Sequence, residues 1–312
     1  MPKLQHVKIL GLSSIAMALT ADVFAEAAAS PVFGSAVSID VKNCAGIPEG
    51  DFCPGSGGRR LLFERVGSSS SGSGVSFSRA VSGFADGEAQ VDFNGELDLP
   101  VLRGAANTVG EGRIFMAAQA QQGYVFDGAT PSPFGLLAEI DYISNSIGEV
   151  DPDQLASVAY SGQTFISAQL TLTTLPAIDT GSPFGFTIPG VCGDPGTVAR
   201  TFSGTREPTG AFSVDLSTGC DGTPIVLQPG ETYYLIAELY LAGLRGGEIS
   251  SLSTFNIALS PELSADEREI LATSLLSASS LAANPVPAPA AALLFGTAVL
   301  ASLGRRVSIQ IS

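Results

Sequence analysis

The chain contains no tryptophan and one histidine, His6, close to its N-terminus. With the leader removed as argued below, the exported protein has no histidine at all. That absence excludes Ser-His-Asp and Cys-His nucleophilic schemes, histidine metal sites and the commonest general base. Without tryptophan, indole stacking on sugar rings is also excluded, and tyrosines would have to serve instead. Cations are scarce too: 15 Lys and Arg stand against 30 Asp and Glu, a formal net charge of −15. Lys3, Lys8, Arg305 and Arg306 lie in the two terminal segments, against one acid, Asp22, so the part between is more acidic still. A phosphate backbone needs Lys and Arg, so nucleic acid is excluded as a partner, and docking on anionic lipid is opposed.

Four cysteines are present, and none forms a Cys-x-x-Cys pair of the kind a structural zinc prefers. Disulfides in an oxidising compartment are the reading that remains. Four cysteines allow three pairings, and proximity favours Cys44–Cys53 and Cys192–Cys220, each clamping a loop flanked by Gly and Pro.

Long helical patterns are likewise missing. Gly (36) and Pro (19) punctuate short stretches that alternate apolar and polar residues. Val37–Val41, Leu137–Ile143, Phe165–Leu175, Phe212–Leu216, Tyr234–Leu241 and Phe255–Leu259 all show a period of two, the pattern of half-buried antiparallel strands. About a dozen such runs predict an all-β fold, an antiparallel β-sandwich of jelly-roll type. The Gly-Ser run Gly67–Gly74 reads as a loop between strands Arg60–Val66 and Val75–Val81. One helix is predicted late in the chain. Ser264 and Glu267 form a capping box, acidic Asp266, Glu267 and Glu269 suit its first turns, and Leu271, Leu275, Ala278 and Ala282 follow helical spacing.

Both termini carry address signals. Lys3 and Lys8 precede the apolar stretch Ile9–Leu19, and Val23-Phe24-Ala25 fits a small-x-small cleavage site, so residues 1–25 read as a signal peptide. At the other end, Val286-Pro287-Ala288-Pro289-Ala290 leads into an uncharged segment, 290–304, followed by Arg305-Arg306. As a helix that segment would reach about 22 Å, against about 30 Å of hydrocarbon, a short transmembrane span. Arginines after a span stay cytoplasmic, which places the preceding residues outside the membrane.

The hinge Val286, Pro287, Ala288, Pro289 and Ala290, the apolar helix and Arg305-Arg306 resemble the PEP-CTERM class of bacterial sorting signals, in its Val-Pro-x-Pro-Ala variant. The resemblance covers about 20 residues and concerns sorting alone. It implies recognition and processing by a membrane enzyme of the exosortase type, in envelopes that export extracellular polysaccharide. Ala288 replaces the glutamate of the Pro-Glu-Pro form, and Val307–Ser312 extend beyond the arginines where the family usually stops sooner. Within the body, Pro229–Leu235, the Gly-rich turn 243–247 and Ser253–Leu259 look like the closing strands of exported sandwich domains with such tails.

These readings divide the chain into a leader (1–25), a sandwich ectodomain (26–260), a helical and linker segment (261–285) and a sorting signal (286–312). No catalytic site stands out. Asp151-Pro152-Asp153 is the one Asp-x-Asp outside the leader, without the remainder of a calcium loop, and reads as a turn. Asp127-Gly128 and Asp221-Gly222 are also turn sequences, and strand acids Asp92, Glu139, Asp141 and Asp215 are expected to face solvent. Gly72-Ser73-Gly74 lies in a loop rather than at a strand–helix elbow. No cofactor is implied; calcium is the one ion for which the acidic surface leaves room. The expectation is a non-enzymatic exported protein of the envelope or extracellular matrix, structural, adhesive or polysaccharide-associated. It would be held transiently in the inner membrane by its tail. A lectin or a carboxylate-based glycoside-active enzyme is the alternative.

Overall fold

The computed structural model describes residues 33–45, 59–68, 74–145, 163–182, 185–187, 192–205 and 209–278. They form two antiparallel sheets packed face to face, a β-sandwich. The first sheet contains β1 (Phe33–Asn43), β2 (Arg59–Ser68), β6 (Gly112–Phe126), β9 (Gln163–Thr173), β12 (Thr197–Thr205) and β15 (Thr232–Leu244). The second contains β3 (Val75–Val81), β4 (Ala85–Asp92), β5 (Val101–Thr108), β8 (Leu136–Ser144), β13 (Thr209–Leu216) and β16 (Glu248–Leu259). Short pairs β7 (Ser132–Pro133) with β14 (Val226–Leu227), and β10 (Ile178–Ser182) with β11 (Gly185–Thr187), flank them. Helix α1 (Ala265–Ser274) and β17 (Leu275–Ser277) close the described chain.

The strand order is β12-β9-β15-β6-β1-β2 in the first sheet and β13-β8-β16-β5-β4-β3 in the second. Late strands therefore sit in the middle: β15 between β6 and β9, and β16 between β5 and β8. The sheets align so that β6 lies over β4 and β5, β1 over β3 and β4, and β12 over β13.

Alternation explains most of this. In β4, Ala85, Gly87, Ala89 and Val91 point inward while Asp86 and Glu88 point out; β8 alternates in the same way. Inner-face residues of both sheets, among them Ile39, Leu102, Met116, Ile140, Leu170 and Phe255, form one fully buried core. Each large apolar side chain contributes about 1.5–3 kcal/mol on leaving water. The inner faces of β4 and β5 include two glycines, Gly87 and Gly104. A Cβ on Gly87 would meet Met116 Sδ at 2.3 Å, and one on Gly104 would meet Leu241 Cδ1 at 2.5 Å. Sheets can approach closely only where such positions stay empty.

Two expectations need correction. The runs Tyr234–Leu241 and, as far as Thr173, Phe165–Leu175 are not half-buried: β15, β9 and the neighbouring β6 are covered on both sides, with Ile236 and Leu239 of β15 and Leu170 and Thr171 of β9 all at 0% exposure. Helix α1 is shorter than predicted. It begins at the Ser264/Glu267 capping box, as read, but ends at Ser274, and Leu275–Ser277 pair with Phe126–Tyr124 of β6. Ser and Thr near the helix end compete for backbone groups, and the end of β6 beyond the start of β1 offers them a ladder. The apolar segment 290–304 and the leader lie outside the described residues. Among those described, no helix is long and apolar enough to cross a membrane.

Replacing Phe255 by alanine should lower unfolding stability by about 3–5 kcal/mol, read as a fall in the urea midpoint at unchanged slope. Gly112→Ala should be comparably harmful, because its Cβ would lie 1.9 Å from the Phe84 carbonyl oxygen. A midpoint unchanged in both variants would contradict this packing.

Candidate functional site

The outer face of the second sheet carries two rows of mostly polar side chains. Register aligns Ala80, Asp86, Asn107 and Glu248 across β3, β4, β5 and β16, with Ser78, Glu88, Ala105 and Ser250 in the next row. Together they line a shallow groove of about 580 Å³, with Arg79 at its rim. The groove lies on the side of the sheet opposite Gly87 and Gly104. Asn107 donates to Asp86 Oδ1 at 3.0 Å. Arg79 stacks on the Phe77 ring at 4.6 Å and makes a two-pronged ion pair with Glu64, at 2.7 Å for each bond. The lining therefore offers hydroxyl, amide and carboxylate groups and no aromatic platform.

The expected solvent-facing acids are found on this same side. Glu139, Asp141 and Asp215 are exposed, and Asp92 is half-buried, paired with Arg103 at 3.2 Å and accepting from Gln90 at 2.6 Å. Among the described residues, no group of three or more His, Cys, Asp or Glu is placed to hold a metal ion.

A second cluster sits on the covered outer face of the first sheet. Glu238 is 2% exposed and lies opposite Gln119 on β6 and Gln169 on β9. Gln119 Nε2 donates to its Oε1 at 2.5 Å, Tyr240 O–H to the same oxygen at 2.5 Å, and Gln169 Nε2 to Oε2 at 2.7 Å. Arg200 in turn donates to Gln169 Oε1 at 2.9 Å. Burial pushes the Glu238 carboxyl above its ordinary value, against the pull of the Tyr240 and Gln119 hydrogen bonds and the Arg200 charge. Burial and the neighbouring carboxylate hold the Tyr240 phenol well above its usual value. Both carboxylate oxygens are occupied by side-chain donors, so this arrangement ties β6, β9 and β15 together rather than presenting a base to a ligand.

Of the residues singled out by sequence, Cys192 and Cys220 are joined, with Cα atoms 5.2 Å apart. The bridge ties the approach to β12 to the turn after β13. Cys44 is also disulfide-bonded, while Cys53 lies outside the described residues. So do Val286, Pro287, Ala288, Pro289, Ala290, Arg305 and Arg306, and the Asp151-Pro152-Asp153 segment. Asp221 and Gly222 make a turn: Asp221 Oδ1 accepts from Thr223 N at 2.9 Å and from its hydroxyl at 2.8 Å, which lowers the Asp221 pKa. Asp127-Gly128, expected as a turn, is not one: Asp127 N donates to the Ser274 carbonyl and joins the chain after β6 to the end of α1. Sequence reading missed the Glu238 cluster. Its one signal is the run Gln119-Ala120-Gln121-Gln122, where amides stand in place of the charges that a solvated strand face would carry.

No known protein family matches the chain, and no curated protein does. A structure described as carbohydrate-binding modules of promiscuous specificity from the β-sandwich superfamily aligns over 71% of this chain and 85% of its own. Its identity is 8% and its TM-score 0.22, a likeness too slight to carry fold or function.

The raised Glu238 carboxyl makes a pH prediction. The folded state holds this proton to higher pH than the unfolded state, whose value is near 4.5. Its contribution is full below that value and is lost as pH rises through the folded one. Urea midpoints across acid to neutral pH should fall for wild type over this window and flatten in Glu238→Gln. Equal slopes in both proteins would refute the assignment.

Proposed function

We propose that this protein is a non-enzymatic, exported component of the cell envelope or extracellular matrix, and that it associates with polysaccharide through the groove on its second sheet. The observation that carries the reading is the groove itself, an open trough lined by Ser78, Asp86, Glu88, Asn107, Glu248 and Ser250. Hydroxyl, amide and carboxylate groups on a rigid sheet are the partners that sugar hydroxyls need. The acidic lining and net charge favour a neutral glycan over an anionic one. With hydrogen bonds alone and no stacking platform, binding at one site is weak, and retention depends on many copies acting together.

Export is supported by the Cys192–Cys220 bridge, which belongs to an oxidising compartment. In this proposal the C-terminal tail anchors the jelly-roll-like body in the inner membrane until an exosortase-type enzyme removes it. Calcium is not required.

Immobilised neutral polysaccharides should retain the exported protein with or without chelator. Asp86→Asn combined with Glu88→Gln should weaken retention about tenfold, equivalent to about 1.4 kcal/mol. Loss on chelation would move the reading to a calcium-dependent lectin. Turnover of a polysaccharide, abolished by a single carboxylate substitution, would replace it with an enzyme. For the tail, the C-terminal mass of the exported protein should end before Arg305, whereas a mature species retaining Arg305 would leave only an anchor.

A further inference from the structure

We propose that the groove on the second sheet holds an extended, β-linked neutral glycan that lies across the strands, with one sugar unit over each of the four strands that line it. This rests on the proposed function and narrows it to a class of polysaccharide. The shape of the groove sets the direction. Its lining takes two outward positions from each strand: Asp86 and Glu88 on β4, Ala105 and Asn107 on β5, Glu248 and Ser250 on β16, with the corresponding pair of β3 at one end. Two outward positions span about 7 Å along a strand, whereas four strands span about 14 Å across the sheet. The long axis of the groove therefore crosses the strands.

Strand spacing sets the repeat. Successive pairs of side chains recur about every 4.8 Å, close to the length of one sugar unit in a glycan linked through equatorial bonds. Such a chain is a straight ribbon and keeps pace with the strands, while an α-linked chain coils away from a flat surface. Ala105 lies between Glu88 and Ser250 in its row, so a methyl group forms the floor at the middle of the groove. In the adjacent row Asn107 stands between Asp86 and Glu248. A sugar ring can rest its C–H face on the methyl while its hydroxyls reach the amide and carboxylates alongside.

The polar groups are held in place. Asn107 Nδ2 donates to Asp86 Oδ1 at 3.0 Å, which leaves the amide oxygen and the second carboxylate oxygen to accept from hydroxyls. Arg79, at the β3 end, is fixed by its two bonds to Glu64, by its bond to the Ser78 carbonyl at 2.8 Å and by the Phe77 ring. Beside it, β3 offers only Ser78 and Ala80 to the groove. The sugar over β3 is therefore held least, and those over β4, β5 and β16 most. With Asp86, Glu88 and Glu248 in the lining, a glycan that carries carboxylate or sulfate groups is repelled.

A chemical-shift titration of the protein with cello-oligosaccharides of two to six units tests this, with malto-oligosaccharides as the coiled series. Affinity should rise about tenfold from two units to four, as each added unit meets a further strand, and stay level beyond. At four units the malto series should bind at least about tenfold more weakly. Ala105→Gln raises the floor and should remove the gain between two units and four. A melting curve checks that this variant folds, and the length profile needs no variant. No binding of cello-oligosaccharides, an affinity independent of length or still rising at six units, equal binding of the two series, or a folded Ala105→Gln with the wild-type profile would overturn the proposal. Immobilised neutral polysaccharides separate the two readings. Retention without the step at four units overturns this one alone, whereas no retention on any of them overturns the proposed function beneath it.

Discussion

The long antiparallel pairing of β6 with β15 is the constraint on which the rest of the sandwich depends. It runs from Thr232 opposite Val125 to Leu244 opposite Arg113, and it is covered on both faces for most of that length. One face supplies Met116, Ala118, Leu235 and Leu239 to the core between the sheets. The other holds the Glu238 carboxylate among Gln119, Gln169 and Tyr240. A buried carboxylate is costly unless its oxygens are satisfied, and a shift of one residue would move its partners to the opposite face. The network therefore fixes register across β6, β9 and β15, while apolar burial supplies the stability.

From this centre, order decreases outward. Tyr124 and Phe126 continue the pairing of β6 onto β17, which brings the end of the described chain alongside the start of β1 at Phe33. Among the described residues the outermost strands have one neighbour each, and some of their inward side chains, such as Leu61, Val75, Val198 and Phe212, are only partly covered. The polar groups that line the groove, Asp86, Asn107 and Glu248 among them, lie on flat sheet, while the core between the sheets is closed. The shallow groove over β4 and β5 is consistent with that division. Its walls are set by register, and it lies behind Gly87 and Gly104, on which Met116 and Leu241 pack from the other sheet.

Much of this was legible in local sequence. Alternation in Leu137–Ile143 and Phe212–Leu216 located β8 and β13, and Ser264 with Glu267 located the start of α1. Cys192 and Cys220 were paired correctly from proximity alone. What was not legible is non-local. Glu238 meets Gln119 across 119 residues of chain, and nothing near Glu238 in sequence distinguishes a buried carboxylate from a solvated one. The end of α1 was overestimated because Leu275 and Ala278 fit a helix as well as a strand, until β6 supplies the partner. The groove could not be read at all, since Asp86, Asn107 and Glu248 converge only through two strand pairings, β4 with β5 and β5 with β16. The tail 286–312 lies outside the described residues, and its resemblance to a sorting signal rests on residue order alone.

Hydrogen exchange of the protein in dilute solution tests the account most directly. Amides of Gly112–Phe126 and Thr232–Leu244 should exchange last, at rates approaching global unfolding, and those of β2, β3, β12 and β13 first. Edge strands protected as strongly as β6 and β15 in dilute solution would contradict a closed centre with open flanks.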